Sequence, residues 1–168
     1  MRGGIKLTIS GFEKLLEEIQ QAGGSVDVAA KQALRNSADI VESELKAACN
    51  AAGVPSSISS EIKSKTKQEG NRYSAEVGWE IGNYNPRNLS AGYKAAFLNY
   101  GAPGSGGNRT VKKDKIVTKI GGEFVTLGKD RGRIPAKNFI AKAKESSAPK
   151  VKKEQRQMLN KILKGLKK

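Results

Sequence analysis

The first third of the chain carries apolar repeats that predict one strand and two helices. Ile5, Leu7 and Ile9 alternate with polar residues, as on one face of a β-strand. Residues 12–22 then have apolar side chains at helical spacing, and Gly23-Gly24 ends that pattern. A second and longer helix is predicted from Ser25, a good N-cap, to about residue 52, before Gly53 and Pro55. Its apolar positions form one seam: Leu34, Ala38, Val41, Leu45, Ala48 and Ala52.

The middle of the chain reads as a hairpin followed by a short helix. Residues 58–66 and 73–79 alternate between apolar and polar types on either side of "QEGN", which predicts an antiparallel strand pair. A short helix is predicted over residues 90–100, and Gly101 follows it in the position where helices commonly end on glycine.

Beyond residue 102 the pattern predicts a glycine-rich loop, a second hairpin and two helices. The β-rich runs at residues 116–120 and 123–127 flank Gly121-Gly122, a hairpin signal. Pro135 is expected to open a helix with Phe139 on its apolar side, and Pro149 to start a last helix. The apolar stripe of that last helix consists of Val151, Met158, Leu159, Ile162, Leu163 and Leu166.

Together these elements indicate an α+β fold. We expect a small antiparallel sheet packed against a long N-terminal helix and a C-terminal helix, with one long flexible loop. Residues 1–148 would form a single domain in which the loop 102–115 is flexible. Residues 149–168 would be a basic, amphipathic C-terminal helical extension. The stripes of the two long helices could contact other subunits or could fill the core of their own chain, and the sequence leaves both possibilities open.

Charge is concentrated in the last two-fifths of the chain. The net charge is +15. Residues 1–100 carry 12 Lys/Arg and 11 Asp/Glu, whereas residues 101–168 carry 19 and 5. Such a surplus suits phosphates or an acidic protein surface, although lysine-rich helices are often simply solvated.

The residue types present argue against an enzyme. Histidine is absent and Cys49 is the single cysteine, so the chain has no imidazole base, no Cys/His zinc site and no internal disulfide. The acidic residues show no spacing typical of acid–base pairs or magnesium ligands. We therefore expect no catalytic residue, cofactor or metal, and we expect Cys49 to be a small buried hydrophobe.

Nothing in the sequence predicts a membrane protein. No run of 18 apolar residues is present, and the start "MRGGIKLTIS" lacks an apolar stretch of signal-peptide length. We expect a protein that stays in the cytoplasm where it is made. The basic, amphipathic C-terminal tail could lie on a membrane surface, but its stripe lacks Trp and Phe, so no membrane partner is expected.

Three phrases, in order along the chain, resemble those of a known protein family. They are "EVG" at residues 76–78, Tyr93 with "FLNYGA" at 97–102, and "IPAKNFI" at 134–140. The head–tail joining proteins of long-tailed bacteriophages and prophages, which are small neck and tail-completion proteins, carry similar phrases after a long amphipathic helix. There they read "EVG", "YAPFVEFGT" and "PARPFLRPA", with a variable loop before the last. The chain resembles that family over nearly its whole length.

The resemblance implies a structural virion protein located at the neck. It would form a homo-oligomeric ring between the DNA-filled head and the tail, with neighbouring connector and tail proteins and, transiently, phage DNA as partners. Neck ring and tail terminator both remain open. The residues expected to support fold and assembly are Tyr93, Phe97, Tyr100, Gly101, Pro135 and Phe139.

The alternative is a nucleic-acid-binding protein without sequence specificity. The C-terminal helix would supply phosphate contacts through Lys150, Lys152, Lys153, Arg156, Lys161, Lys164, Lys167 and Lys168. Other contacts to DNA, or in the ring to an acidic partner, would come from basic residues on or near the second hairpin. These are Lys112, Lys113, Lys115, Lys119, Lys129, Arg131 and Arg133. Few aromatic residues lie among them, and no known nucleic-acid-binding signature occurs, so base-specific recognition is not expected.

Overall fold

The computed structural model of the chain describes residues 3–8, 12–69, 72–80, 89–101, 116–120, 123–127 and 134–167. The strands in these ranges are β1 (Gly3–Thr8), β2 (Lys63–Glu69), β3 (Arg72–Trp79), β4 (Ile116–Ile120) and β5 (Glu123–Leu127). The helices are α1 (Glu13–Gln21), α2 (Val26–Ala51), α3 (Ser56–Ser59), α4 (Ala91–Tyr100) and α5 (Phe139–Leu166). The expected α+β class, with antiparallel strands and two long helices, is confirmed.

Helix α2 is bounded by the residues that the sequence indicated. The Ser25 side chain accepts a hydrogen bond from the Val28 backbone N–H at 3.3 Å, which satisfies one of the unpaired donors at the helix start. At the other end Gly53 has φ +63°, a conformation that glycine adopts without a steric penalty. Local capping chemistry therefore sets both ends of α2.

Helices α2 and α5 form an antiparallel pair at the centre of the molecule. Lys150 of α5 contacts Glu44 of α2 at 2.6 Å, and further along α5 Glu154 accepts a hydrogen bond from Asn36 at 3.1 Å. Each helix has one row of buried residues spaced four apart, as in a ridge of side chains along the helix surface. These rows are Ala29, Ala33, Ser37, Val41, Leu45 and Cys49 on α2, and Phe139, Ala143, Ser147, Val151, Gln155, Leu159 and Leu163 on α5. Ala30, Leu34 and Ala38 of α2 and Ile140 of α5 are buried beside them.

The prediction that Pro149 starts a separate helix is wrong, because α5 runs through it without interruption. Proline within a helix removes one backbone hydrogen bond and costs about 3 kcal/mol. Here Ser147 and Val151 are buried on either side of Pro149, so packing holds the helix together across it. The proposed division of the chain at residue 148 stays a prediction.

The sheet has the strand order β1-β3-β2, and both pairings are antiparallel. Ala75, Val77 and Trp79 on the central strand are buried in the main core together with residues of α2 and α5. Strand β2 begins at Lys63, so the prediction of a strand from residue 58 is wrong. Ile58 and Ile62 are both buried, but Ile58 lies in α3 after Pro55. A spacing of four residues fits a helical turn as well as an alternating strand, which explains the error.

A second core cluster joins α1 to the long helices. Ile19 of α1, Ala29 and Ala33 of α2, and Leu159 and Leu163 of α5 are buried together. The apolar stripes of α2 and α5 thus largely fill the core of their own chain, which is one of the two possibilities left open by the sequence. None of the described helices is both long and apolar enough to cross a membrane.

Strands β4 and β5 pair as the predicted second hairpin. Their register places Ile116 opposite Leu127 and Lys119 opposite Phe124. They form a two-stranded sheet of their own.

Candidate assembly surface

The end of α4 and residues 134–140 are fastened together, and we call this junction the anchor. Two backbone hydrogen bonds, from Lys137 N–H to the Leu98 carbonyl and from Asn138 N–H to the Asn99 carbonyl, are both 3.1 Å long. They satisfy carbonyl groups at the C-terminal end of α4, which lack partners within their own helix. Residues 101 and 134, between which 32 residues of the sequence lie, are therefore held side by side.

Asn99 connects the two helices of the anchor. Its side chain is 2% exposed, and its Oδ1 accepts a hydrogen bond from the backbone N–H of Ile140 at 2.9 Å. Asn138, the N-cap position of α5, makes no such bond with its own side chain and has φ +51°. Asn99, which is distant in the sequence, therefore caps the start of α5 in place of Asn138. Sequence reasoning missed this residue, since capping is normally read from neighbouring positions.

Gly101 leaves no room for a side chain where α4 ends. Its φ of +77° and ψ of +167° lie in a region that is essentially restricted to glycine. A Cβ placed on Gly101 would lie 2.6 Å from the Ile134 carbonyl oxygen and 3.1 Å from the Ala136 nitrogen. The prediction that Gly101 closes α4 is confirmed, and the close approach of residues 134–136 adds a reason that the sequence did not reveal.

Lys137 fastens the anchor to α2. Its Nζ donates to the Ala52 carbonyl at 2.6 Å and to the Gly53 carbonyl at 3.2 Å. A cation at a helix C-terminus compensates the unpaired carbonyls and the negative end of the helix dipole. The sequence contained no signal for this contact, because the two partners are far apart along the chain.

Phe139 fastens the anchor to the sheet. It is fully buried, and its ring meets the ring of Trp79 edge-on, with 6.0 Å between the centroids and 73° between the planes. Trp79 is itself held by a 2.6 Å hydrogen bond from its Nε1 to the Ile58 carbonyl. Pro135 is exposed and lies four residues before the start of α5, so the prediction that it opens the helix is wrong.

An exposed apolar surface lies beside the anchor, and we call it the exit patch. Phe97 is 38% exposed, Tyr100 66% and Ile134 37%. Phe97 and Tyr100 are three residues apart on α4, so they project from the same side of the helix, and the Ile134 backbone adjoins Gly101. Tyr93, one turn earlier on α4, is partly buried. Of the residues predicted for assembly, Phe97 and Tyr100 are therefore accessible, whereas Phe139 has a core position.

Most of the basic residues predicted for DNA or partner contact lie outside the described residues. These are Lys112, Lys113, Lys115, Lys129, Arg131 and Arg133. Lys119 lies on β4, opposite Phe124. Of the basic residues that the sequence analysis placed on the C-terminal helix, those within α5 are accessible, because all eight Lys and Arg residues of α5 are exposed.

Several acidic groups on the described surface form ion pairs with lysines. The hydrogen bond from Lys150 holds the pKa of the Glu44 carboxyl below its usual value, and Ser146 adds to this effect. Lys65 likewise lowers the pKa of Glu80. Burial raises the pKa of the Cys49 thiol to about 11, in keeping with a buried, unreactive cysteine. Within the described parts of the chain, no group of three acidic or cysteine side chains could hold a metal ion.

Comparison with protein families identifies the first half of this architecture. The family model described as "Bacteriophage HK97-gp10, putative tail-component" matches residues 13–101, just over half of the chain. The chain belongs to the HK97-gp10-like family. The expected membership of a phage protein family is thereby confirmed, and it supports a structural role as a phage tail component.

The match to the HK97-gp10-like family covers α1 to α4 and stops at Gly101. Phe97, Tyr100 and Asn99 are thus inside the family region, whereas residues 134–140 and α5 lie beyond it. The searches of curated proteins and of solved structures returned no match.

Proposed function

We propose that the chain is a structural subunit of the phage head–tail connector, either a neck ring or a tail-completion ring, that joins the DNA-filled head to the tail. Membership of a phage tail-component family supports this proposal. In the proposed role the protein acts by docking and carries out no bond chemistry. It assembles at the neck of the virion from subunits in the host cytoplasm.

The observation that carries the proposal is the exit patch beside the rigid anchor. Accessible aromatic side chains are enriched at the centres of protein interfaces, where they contribute much of the binding energy. Phe97, Tyr100 and Ile134 are presented by backbone that Gly101 and Asn99 hold in place. We infer that a second copy of the chain packs on this patch in the ring, through a contact that repeats around a closed symmetry.

Loss of the gene tests the joining role. A stop codon in the gene of the phage or induced prophage should leave full heads apart from finished or overlong tails in electron micrographs of the lysate. The tail length would distinguish a neck ring from a terminator. Intact particles with normal tails would overturn the joining role.

Substitutions in the exit patch test the proposed contact. The double variant Phe97→Ser/Tyr100→Ser should fold but should fail to restore joined particles. Val28 is 60% exposed on α2, away from the patch, and Val28→Ser is the matched control that should restore them. Full complementation by the patch variant would remove the patch from the assembly.

The alternative function, nucleic-acid binding without sequence specificity, is favoured by the exposed basic residues of α5. Phosphate contacts of this kind make the logarithm of the binding constant fall linearly with the logarithm of the salt concentration. Duplex DNA of unrelated sequences should then bind equally and with the same salt slope. Absence of binding at low salt would exclude this function for the isolated chain.

A further inference from the structure

An open groove of about 1010 Å³ lies between the start of α1 and the middle of α5. Phe12 and Leu15 line it from the α1 side, and Pro149 lines it from α5. Phe12 and Leu15 also pack against the second core cluster, so they form an apolar floor that is tied to the fold. The described fold therefore presents a partly apolar groove away from the exit patch.

The rim of this groove on α5 is strongly basic. Lys152, Lys153 and Arg156 line it and are all exposed. No ion pair links any of the three to another described residue. The opposite rim on α1 carries Glu13, Lys14 and Glu18, a net charge of −1, so it offsets only part of the +3 on the α5 side. The groove therefore combines apolar surface with positive charge that is open to a ligand.

The apolar floor and the basic rim together indicate which kind of ligand the groove would bind. Packing of the same groove of a second copy against this surface would be opposed by charge, because α5 carries eight Lys and Arg residues and two Glu residues. The phosphate backbone of DNA would match the charge but would leave the apolar floor uncovered. A helix with acidic residues flanking one apolar face satisfies both the rim and the floor. The α5 wall runs from residue 149 to 160, about 17 Å of helix, or three turns of a partner helix.

We propose that the groove between α1 and α5 binds an acidic, amphipathic helical segment of a partner protein. The proposal rests on the proposed function, since it names the chemistry of a neighbouring protein in the connector. It adds a surface that is separate from the exit patch used between copies of the chain.

The test uses the purified full-length chain and a defined probe. The probe is a fluorescent synthetic peptide of about 18 residues, long enough for a helix in water, with Leu at helical spacing and Glu on the other faces. Fluorescence anisotropy measures its affinity at physiological salt. A scrambled peptide of the same composition has the same charge but no apolar face, and a short DNA duplex represents the competing class of ligand.

Two double variants identify the site on the protein. Lys153→Glu/Arg156→Glu reverses charge on the rim and should weaken peptide binding at least about tenfold, because like charges would then face each other. Lys161→Glu/Lys164→Glu makes the same charge change on exposed positions of α5 that do not line the groove, and should change the affinity less than about threefold. Equal melting temperatures of the two variants would show that both are folded.

The proposal is overturned by any of three results. The first is no saturable binding of the amphipathic peptide below about 1 mM. The second is equal binding of the scrambled peptide, which would indicate attraction by charge alone. The third is tighter binding of duplex DNA that is lost in the rim variant. None of these results depends on phage assembly. Failure of the groove proposal can therefore be distinguished from failure of the proposed joining role, which is tested in lysates.

Discussion

Asn99 on α4 accepts, through Oδ1, a hydrogen bond from the backbone N–H of Ile140, 41 residues further along the chain, at 2.9 Å. The first turn of α5 is thus capped by another helix. This bond spans the point where the chain leaves α4 and returns to α5, so it holds the two sides of the anchor in register.

Asn99→Ala should destabilise the protein by about 1–3 kcal/mol, because the Ile140 N–H would be buried without an acceptor. Urea unfolding monitored by circular dichroism measures the loss. Asn138→Gly is the matched control, since Asn138 is exposed, caps nothing with its side chain and already has φ +51°. It should change stability by less than about 0.5 kcal/mol. Equal losses in both variants would contradict the capping role of Asn99.

Gly101→Ala should cost more stability than Gly23→Ala. Both glycines have similar positive φ values, +77° and +79°, so both substitutions strain the backbone. At Gly101 this strain is about 1–3 kcal/mol, because its ψ of +167° lies in a region essentially restricted to glycine. Only at Gly101 does the new Cβ meet other atoms, whereas nothing lies within 4 Å at Gly23. Forcing residues 134–136 away should add about 1–3 kcal/mol. Chemical denaturation of the two variants gives the difference in stability. A difference near zero would show that residues 134–136 move away from the new Cβ without a measurable cost.

Phe139→Ala should cost about 3–5 kcal/mol, since the side chain is fully buried between α5 and the sheet. Trp79 is the single tryptophan and touches the Phe139 ring, so its fluorescence spectrum should change as well. Phe97→Ala is the control on an exposed position and should cost about 1 kcal/mol or less. Similar losses for the two would mean that Phe139 is not the residue that ties α5 to the sheet.

The ion pair between Glu44 and Lys150 should make the protein less stable as the pH becomes acidic. Its pKa is lowered in the folded state, so its stabilising contribution is present above the ordinary value of 4.5 and is lost as the pH falls through the lowered value. Lys150 is largely exposed, so we expect less than about 1 kcal/mol. Lys150→Met should remove this difference between pH 7 and acid, as measured by thermal unfolding. Lys142→Met, with no ion pair to another described residue, should retain it.

Burial of the Cys49 thiol should make the free energy of unfolding decrease at alkaline pH. The folded thiol has a pKa of about 11 against an ordinary 9.0, so unfolding releases a proton between these values. Stability from the protonated thiol is therefore complete below about pH 9 and declines as the pH rises towards 11. Wild type and Cys49→Ala should diverge over that range in chemical denaturation. The native thiol should also react with a thiol reagent at neutral pH only when the protein unfolds.

The elements with local signals were predicted well. Ser25 and Gly53 bound α2, and Gly101 ends α4, as the sequence indicated. In each case a side chain or a missing side chain acts on backbone within a few residues of itself. Such effects involve residues that are close together in the sequence, and they do not depend on the rest of the fold.

The errors came from residues whose outcome depends on distant packing. Pro149 would end an isolated helix, but buried neighbours on α5 hold that helix against α2. Ile58 and Ile62 fit either a turn of helix or a strand, and the core contains Ile58 from α3 and Ile62 from the position just before β2. Periodicity alone does not distinguish these cases over so few residues.

The amino-acid order alone was sufficient for the α+β class, the phage family and the strongly basic C-terminal region. Tertiary structure decided the cap on α5 by Asn99, the contact of Lys137 with the end of α2, and the groove beside Lys153. A capping residue acts on backbone within one or two helical turns of itself, and a surplus of charge can be counted directly, so both can be read from the sequence. Hydrogen bonds and grooves between helices far apart along the chain exist only after α2, α4 and α5 have packed together.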